Sequence, residues 1–387
     1  MAKLRVGILF GGRSGEHEVS LMSAASVIAA LDREKYEPVL VGIDREGRWR
    51  LVPALKGPVD AVALARAIAR ARPVALPADP QEPGLRPLDA EEPGLLPLRQ
   101  PAAVAGREGA PVPAGLGAEM ARLDVVFPVL HGTYGEDGTV QGLLELAGIP
   151  YVGAGVLASA LGMDKAAMKE VFQALGIPIV PFRAVLRRRW EQEPETVLRE
   201  LEAALGYPCF VKPANLGSSV GVTRCWDREE LRQGLDQACR YDRKLVIEKG
   251  VRCRELECSV LGNDDPEASV VGEILPARPF YDYAAKYLDP RTRLAIPADI
   301  PEEIARQVRS LAIRAFRAID CAGMARVDFF WDLDSGQVVV NEINTIPGFT
   351  AVSMYPKLWE ASGLSYSQLL DRLIELARER HADLNRR

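Results

Sequence analysis

Arg326, Asp328, Glu342 and Asn344 are the residues whose types and spacing carry the most chemical potential in this chain. They stand in two apolar, β-branched and aromatic runs on either side of Asp334-Ser335-Gly336. That pattern predicts a β-hairpin with a three-residue turn, Gly336 taking the φ > 0 position. With the turn centred on Ser335, Asp328 and Glu342 are equidistant from it and pair, as do Arg326 and Asn344. Period-two alternation then puts all four side chains on one face. Asp328, Glu342 and Asn344 offer hard oxygen donors, a set suited to Mg²⁺, which also keeps waters and takes oxygens from phosphates. Taken alone, the same residues would also suit an exposed strand face with Arg326 in a salt bridge. A bulge at the turn would shift the register by one and break the pairing.

Four other stretches carry donors for an anionic ligand. Lys212-Pro213 leads into Ala214-Asn215-Leu216-Gly217-Ser218-Ser219-Val220-Gly221, a Gly/Ser loop between strand segments. Its glycines allow backbone N–H groups near phosphate oxygens, and Lys212 adds a point charge. A flexible hairpin tip has the same composition. Gly11–Ser20 and His131–Gly142 each follow an apolar strand, Leu4–Phe10 and Leu123–Leu130, as ligand loops of open α/β sheets do. Phe280-Tyr281-Asp282-Tyr283 with Lys286-Tyr287 interleaves aromatic and charged residues without periodicity, as a loop that folds over a ligand would, or a packed surface loop.

The elements that must position these groups alternate between strand and helix. Leu4–Phe10, a helix Leu21–Leu31 capped by Ser20, and Pro38–Ile43 form a βαβ opening. A helix with Asp164, Lys165 and Lys169, strands Val180–Leu186 and Lys244–Lys249, and a charged helix Glu195–Leu205 follow. Glu255–Val260 and Val270–Leu275 are further strands. An amphipathic helix Pro301–Ile319 precedes the hairpin, and a helix Tyr366–Arg380 closes the chain. Residues 73–118 hold ten prolines and the near-repeat Glu82-Pro-Gly-Leu-Arg-Pro-Leu and Glu92-Pro-Gly-Leu-Leu-Pro-Leu. They predict short extended pieces and surface loop with no catalytic role.

Bulk properties narrow the classes. A chain of 387 residues predicts two or three domains, and 48 % hydrophobic with 26 % charged residues is a soluble globular composition. A net charge of −5 gives no nucleic-acid footprint. No apolar run is long enough to span a bilayer, and the N-terminal run is too short for a signal peptide. Six cysteines without a Cys-x-x-Cys pair predict reduced thiols in a cytosolic protein, with no zinc site or disulfide framework. Neither G-x-G-x-x-G nor G-x-x-x-x-G-K-[ST] occurs, against a dinucleotide-dependent oxidoreductase.

Together the motifs resemble those of D-alanine–D-alanine ligases in the ATP-grasp superfamily. The resemblance is carried by Gly11-Gly12-x-Ser14-x-Glu16-His17-Glu18-Val19-Ser20, His131-Gly132-x-x-Gly135-Glu136-Asp137-Gly138, Met163-Asp164-Lys165, the Lys212 loop, the Phe280–Tyr287 stretch and Asn341-Glu342-Ile343-Asn344-Thr345 with Pro347-Gly348. It implies an α/β ATP-grasp architecture of three domains, 1–153 with the insertion at 73–118, 154–248 and 249–387, with ATP between the last two. It implies ligation of two D-alanines through a D-alanyl phosphate for peptidoglycan. By motif position, Asp328, Glu342 and Asn344 would hold two Mg²⁺ (or Mn²⁺) ions, and Lys165, Lys212 and Lys286 would meet phosphates. Glu248, Lys249, Val251 and Glu255 would hold adenine and ribose.

By the same resemblance, Arg326 and the Gly348 N–H would stabilise the oxyanion. Glu16, with Ser218 and Tyr287, would orient the first D-alanine beside His131, and Ser353 would hold the second substrate's carboxylate. Ile346 stands where many relatives have Ser, for which a packing change is expected. The Phe280–Tyr287 pattern favours an amine as second nucleophile. A cytoplasmic homodimer whose partners are ATP and D-alanine, with no nucleic acid or membrane, is the implied setting. A D-Ala–D-Ser ligase and a non-catalytic ATP-binding module are the rival readings.

Overall fold

Strand β1 (Leu4–Gly11) lies one strand in from an edge of a seven-stranded sheet. It pairs in parallel with β2 (Tyr36–Ile43) and with β7 (Val125–Val129). Every side chain of β7 is buried, as a parallel strand covered on both faces requires. The order is β6-β5-β4-β3-β2-β1-β7, where β3 is Trp49–Val52, β4 Arg72–Ala75, β5 Gly84–Pro87 and β6 Ala121–Arg122. The beginning of the proline-rich stretch thus supplies strands: β5 pairs with β4 through Val74 and Pro87, and Leu85 is buried. Because β1 and β7 are parallel neighbours, the loops after Gly11 and Val129 open at the same edge.

The computed structural model describes residues 3–55, 57–81, 84–88, 121–218, 220–275 and 293–386. The Phe280–Tyr283 motif, Lys286, Tyr287 and most of the proline-rich segment lie outside the described residues. Ser20 does not cap a helix. The first helix begins three residues earlier, at His17, and runs to Ala30. From inside it the Ser20 hydroxyl accepts from the Gly11 N–H (2.8 Å) and donates to the Val129 carbonyl, tying the ends of β1 and β7 together.

The second sheet has the order β10-β9-β11-β8, with β8 at Phe182–Leu186, β9 at Cys209–Pro213, β10 at Thr223–Cys225 and β11 at Lys244–Lys249. β9 and β10 are antiparallel, so the Gly/Ser loop joins a strand pair as its composition predicts. The helix Lys165–Ala174 starts at Asp164, whose side chain accepts from the Ala166 and Ala167 N–H groups. The same carboxylate meets Lys244 Nζ at 2.6 Å, which fixes the helix start to β11.

The third sheet, β14-β13-β12-β15-β16, is antiparallel. β12 is Cys253–Gly262, β13 Glu267–Leu275, β14 Arg293–Ala295, β15 Gly323–Asp332 and β16 Val338–Asn344. One face packs Val327, Phe329, Val340 and Ile343 against Val308, Leu311 and Phe316 of the helix Glu302–Ala318. Arg326 pairs with Asn344 and Asp328 with Glu342, as the spacing predicts.

That agreement hides two departures that cancel. Asp332 and Gln337 close a four-residue loop, not a three-residue one, with Gly336 at φ 73°. Near the loop Phe329 therefore pairs with Val340, and a bulge at Asn341 then restores the predicted register. Without the bulge, alternation from Val338 and Val340 would drive Glu342 into the helix-packed face. With it, Ile343 stays in the core and Glu342 faces the other way.

Candidate active site

The polar face of the third sheet is a network of charge. Arg326 Nε and Nη2 reach the two Asp328 carboxylate oxygens at 2.7 and 2.8 Å, and Nε is 3.0 Å from Glu257 Oε2. Asn344 Nδ2 donates to Asp328 Oδ2 at 3.0 Å. Burial works against the Arg326 charge, but Asp328 and Glu257 outweigh it and raise the guanidinium pKa well above its ordinary value. Glu257 pairs with Asp328 across β12 and β15. It is a site carboxylate that the sequence reading missed, although the alternation Glu255-Leu256-Glu257 marks it as sharing a face with Glu255.

Lysines approach this face from the second sheet and its helix. Lys165 Nζ lies 3.4 Å from Glu342 Oε2 and donates to the Leu216 carbonyl at 2.9 Å. Lys212 Nζ is 2.6 Å from Glu248 Oε2 and 3.5 Å from Asn341 Oδ1. Lys169, fully buried, places Nζ 3.0 Å from Glu248 Oε1 and 3.1 Å from the Asn341 carbonyl oxygen.

Burial alone would push the Glu248 carboxyl up, but the Lys169 and Lys212 ammonium groups outweigh it and hold the pKa at about 2. Because this folded value is depressed, its stabilising contribution is complete above the unfolded carboxyl range, near 4.5, and fades as pH falls toward 2. Glu248→Gln should therefore flatten the loss of thermal stability between about pH 4.5 and 2. Melting curves at pH 3 and pH 6 check this; an unchanged difference between them would contradict the ion triad.

Glu16, at the start of the first helix, accepts from the Ser218 hydroxyl, which brings the Gly/Ser loop onto the first sheet's loop edge. Ser14 Oγ donates to the His131 carbonyl at 2.5 Å. His131 Nδ1 faces two acceptors, the Ile346 carbonyl at 3.2 Å and Glu136 Oε1 at 3.5 Å, so the proton sits on Nδ1. Burial lowers the His131 pKa, yet Glu136 and Glu16 outweigh it and raise the net value; burial raises that of Glu136. His131 Nε2 lies 3.1 Å from Ser23 Oγ, which accepts from the Phe349 N–H at 3.2 Å.

Phe349 is fully buried among Phe127, Tyr355 and Tyr366, with ring centroids 5.6, 5.5 and 6.3 Å away. Aromatic pairs of this kind are worth about 0.5–1.5 kcal/mol each beyond their burial. They pin the Ile346–Thr350 segment, so the Gly348 backbone is held by its neighbour. Ile346 is buried in the same core. Ser353 Oγ accepts from the Thr350 N–H at 2.9 Å, and a Cβ on Gly348 would stand 2.7 Å from that oxygen.

Part of this set lines one solvent-open cleft, and Asp328, Lys165, Lys212 and Glu248 are not among its lining residues. Glu16 and His131 enter it from the first sheet, Ser218 from the second, and Arg326, Glu342, Asn344, Gly348 and Ser353 from the third sheet and the segment after it. Lys249 and Val251 lie at the end of β11 and just after it, and Glu255 on β12. Among the described residues no three His, Cys, Asp or Glu side chains form a metal-holding group. The candidate donors are two carboxylates and an amide. They fit a divalent cation, since their oxygens are hard and the two carboxylates already stand against the cations Arg326 and Lys165.

The family models match in two consecutive pieces: the D-ala D-ala ligase N-terminus over residues 5–154 and the D-ala D-ala ligase C-terminus over residues 171–375. The chain belongs to the D-alanine–D-alanine ligase family. It is 50 % identical over 386 residues, all of this chain and 98 % of the relative, to the D-alanine–D-alanine ligase of Heliobacterium modesticaldum. Identity to the Bacillus cytotoxicus ligase is 46 % over 99 % of this chain and 98 % of the relative. Among solved structures, the D-alanine–D-alanine ligase of Coxiella burnetii aligns with a TM-score of 0.79 at 37 % identity, covering 99 % of this chain and 96 % of that one. The VanG D-Ala:D-Ser ligase of Enterococcus faecalis aligns at 0.82 and 34 %, covering 97 % and 100 %.

The fold of this ligase is the ATP-grasp fold of those relatives. The site groups that the sequence reading passed over are Glu257, Lys169, Glu136 as a partner of His131, and Thr350 as a partner of Ser353. Lys169 had a usable signal, since it stands one helical turn after Lys165 and so shares its face. All six cysteines carry free thiols. No helix among the described residues is long and apolar enough to cross a membrane.

Proposed function

We propose that this ligase joins two D-alanine molecules at the expense of ATP, in the cleft where the three sheets meet, as a step of peptidoglycan precursor synthesis. The observation that carries this reading is the convergence of Glu16 and Ser218 with Arg326, Gly348 and Ser353 in one cleft. An ammonium-binding carboxylate, an oxyanion-binding guanidinium and a carboxylate-binding hydroxyl belong together in amide ligation. The proposed domains are residues 1–153, 154–248 and 249–387, each with its own sheet, with ATP between the second and third.

In this reading Glu16, braced by Ser218, orients the first D-alanine's ammonium group beside His131. Lys165, Lys212 and Lys286 meet the ATP phosphates, while Glu248, Lys249, Val251 and Glu255 line the adenine and ribose side. Asp328, Glu342 and Asn344 would hold Mg²⁺ or Mn²⁺, two ions, which supply charge neutralisation at the transferred phosphoryl group. A carboxylate oxygen of the first D-alanine attacks the γ-phosphorus, the bond to the β-γ bridging oxygen breaks, and ADP is released from a D-alanyl phosphate.

The second D-alanine, its carboxylate at Ser353, attacks the activated carbonyl through its amine. The new oxyanion is met by Arg326 and the Gly348 N–H. Arg326 uses Nε and Nη2 on carboxylates, and a guanidinium has five N–H donors, so donors are left for the oxyanion. The C–O bond to phosphate then breaks, phosphate departs with its electron pair, and the proton shed by the attacking nitrogen goes to the departing phosphate. In this reading Tyr287 and Ser218 help to exclude water from the acyl phosphate. A homodimer in the cytoplasm, with ATP and D-alanine as its small-molecule partners, completes the proposal.

Purified protein with D-alanine, ATP and Mg²⁺ should release phosphate only when D-alanine is present and yield D-alanyl-D-alanine by mass spectrometry. Phosphate release without dipeptide would refute the ligase reading. The 0.82 TM-score to a D-Ala:D-Ser ligase makes D-serine the second reading. A pocket discriminates weakly against an added hydroxyl. Equimolar D-alanine and D-serine should give mainly D-alanyl-D-alanine; a majority of D-alanyl-D-serine would favour that alternative.

Gly348→Ala tests the second-substrate side. Its Cβ would stand 2.7 Å from Ser353 Oγ, so the hydroxyl must leave its place against Thr350. The KM for the second D-alanine should rise about tenfold, the worth of one displaced hydrogen bond to a charged group. KM for ATP should hold. Steady-state kinetics in each substrate separate the two, and an equal rise in both would place Gly348 elsewhere.

A further inference from the structure

Lys169 is the largest charged side chain among the described residues with no exposed surface, and its ammonium group does not open to the cleft. A core position does not call for an ammonium group; Met or Leu would fill the space without the desolvation that a buried charge carries. What Lys169 does contact is specific. Its Nζ meets Glu248 Oε1 at 3.0 Å on β11 and the carbonyl oxygen of Asn341 at 3.1 Å on β16. Asn341 is the bulge residue, the extra position that turns Glu342 out of the core. Its side chain in turn reaches Lys212 Nζ at 3.5 Å, and Glu248 holds the same Nζ at 2.6 Å. Thus Lys169 holds the Glu248 carboxylate and the backbone of Asn341, two residues that contact the Lys212 ammonium.

One helical turn earlier, Lys165 makes the corresponding approach to Glu342. The two lysines line one face of the helix Lys165–Ala174 against successive residues of β16. The Lys165 side chain keeps some exposed surface and Lys169 keeps none. They share a helix face but divide the work, one toward ligand and one toward the frame.

We propose that Lys169 is a positioning residue of the ligase: by clamping the Asn341 bulge and the Glu248 carboxylate it aims the Lys212 ammonium at the nucleotide phosphates. It does not touch substrate. The proposal rests on the ATP site described above, and it assigns Lys169 a purpose that stabilisation of the core does not supply.

A double-mutant cycle on nucleotide affinity tests it. ATP with Mg²⁺ is titrated calorimetrically into the full chain without D-alanine, for wild type, Lys169→Met, Lys212→Met and the double variant. Thermal midpoints are recorded alongside so that titrations run well below unfolding. Lys169→Met should weaken ATP about tenfold, and the double variant should bind about as weakly as Lys212→Met alone, because one lysine acts through the other.

A role confined to core stability lowers the midpoint and leaves the ATP Kd unchanged; that result overturns the proposal. Losses that multiply in the double variant also overturn it. If Lys212→Met weakens ATP and Lys169→Met does not, the proposal fails while the ATP-site reading stands. If neither affects ATP, both fail. Should Lys169→Met not fold, the same cycle is run with Lys169→Gln, whose shorter amide keeps an N–H donor but cannot hold both partners at once, and the same criteria apply.

Discussion

Arg326→Met should remove nearly all ligase turnover and weaken the fold as well. The guanidinium is buried between Asp328, at 2.7 and 2.8 Å, and Glu257, at 3.0 Å. Those two carboxylates face each other across β12 and β15, and Glu342 faces Asp328 across β15 and β16. Removing the cation leaves acids on three adjacent strands without their central counter-charge. Breaking a buried ion pair on one side costs about 3–5 kcal/mol, against a total stability of roughly 5–15 kcal/mol.

Loss of an oxyanion donor adds a fall in kcat of about 10²–10³. Arg326→Lys separates the effects, since Lys restores charge without the planar fork that spans two oxygens. It should recover much of the thermal stability and little of the rate. Chemical denaturation and initial rates on the three proteins check this. Full rate recovery by Lys would reduce Arg326 to an electrostatic support.

Glu342→Gln should leave the fold intact and abolish turnover. The side chain is partly exposed, Lys165 Nζ stands 3.4 Å from it, and Gln has nearly the same shape. What it loses is the negative charge that a metal ligand needs. A metal acting on a transferring phosphoryl group supplies several kcal/mol of transition-state stabilisation, so the rate should fall about a thousandfold. The Mg²⁺ concentration for half-maximal rate should rise in whatever activity is left. Circular dichroism and melting temperature guard the claim of an intact fold. Turnover within a few-fold of wild type would remove Glu342 from the metal set.

Much of this site was legible because it obeys local rules. Alternation put Arg326, Asp328, Glu342 and Asn344 on one face, and two apolar runs placed the loops that follow them at one sheet edge. The illegible parts are those settled by distant chain. The bulge at Asn341 has no mark in its own residues, and its carbonyl partner Lys169 is 172 positions away. The hairpin pairing survived only because that bulge offset a loop one residue longer than the position of Gly336 suggests.

Ser20 looked like a helix cap by type and place. Two backbone partners on β1 and β7 override that role, and both are tertiary. Glu248, which spacing offers to adenine and ribose, also has a lysine beside each of its oxygens, and those lysines come from distant chain that spacing does not reveal.

The central claim is that the first D-alanine's carboxylate takes the phosphoryl group before the amide forms. D-Alanine labelled with ¹⁸O in both carboxylate oxygens, turned over with ATP and Mg²⁺, tests it most directly. Mass spectrometry of the released phosphate should find one ¹⁸O per dipeptide formed, because the oxygen that attacked phosphorus leaves with it. Phosphate free of ¹⁸O, with dipeptide still accumulating, would contradict the acyl phosphate and with it the oxyanion-binding roles of Arg326 and the Gly348 N–H.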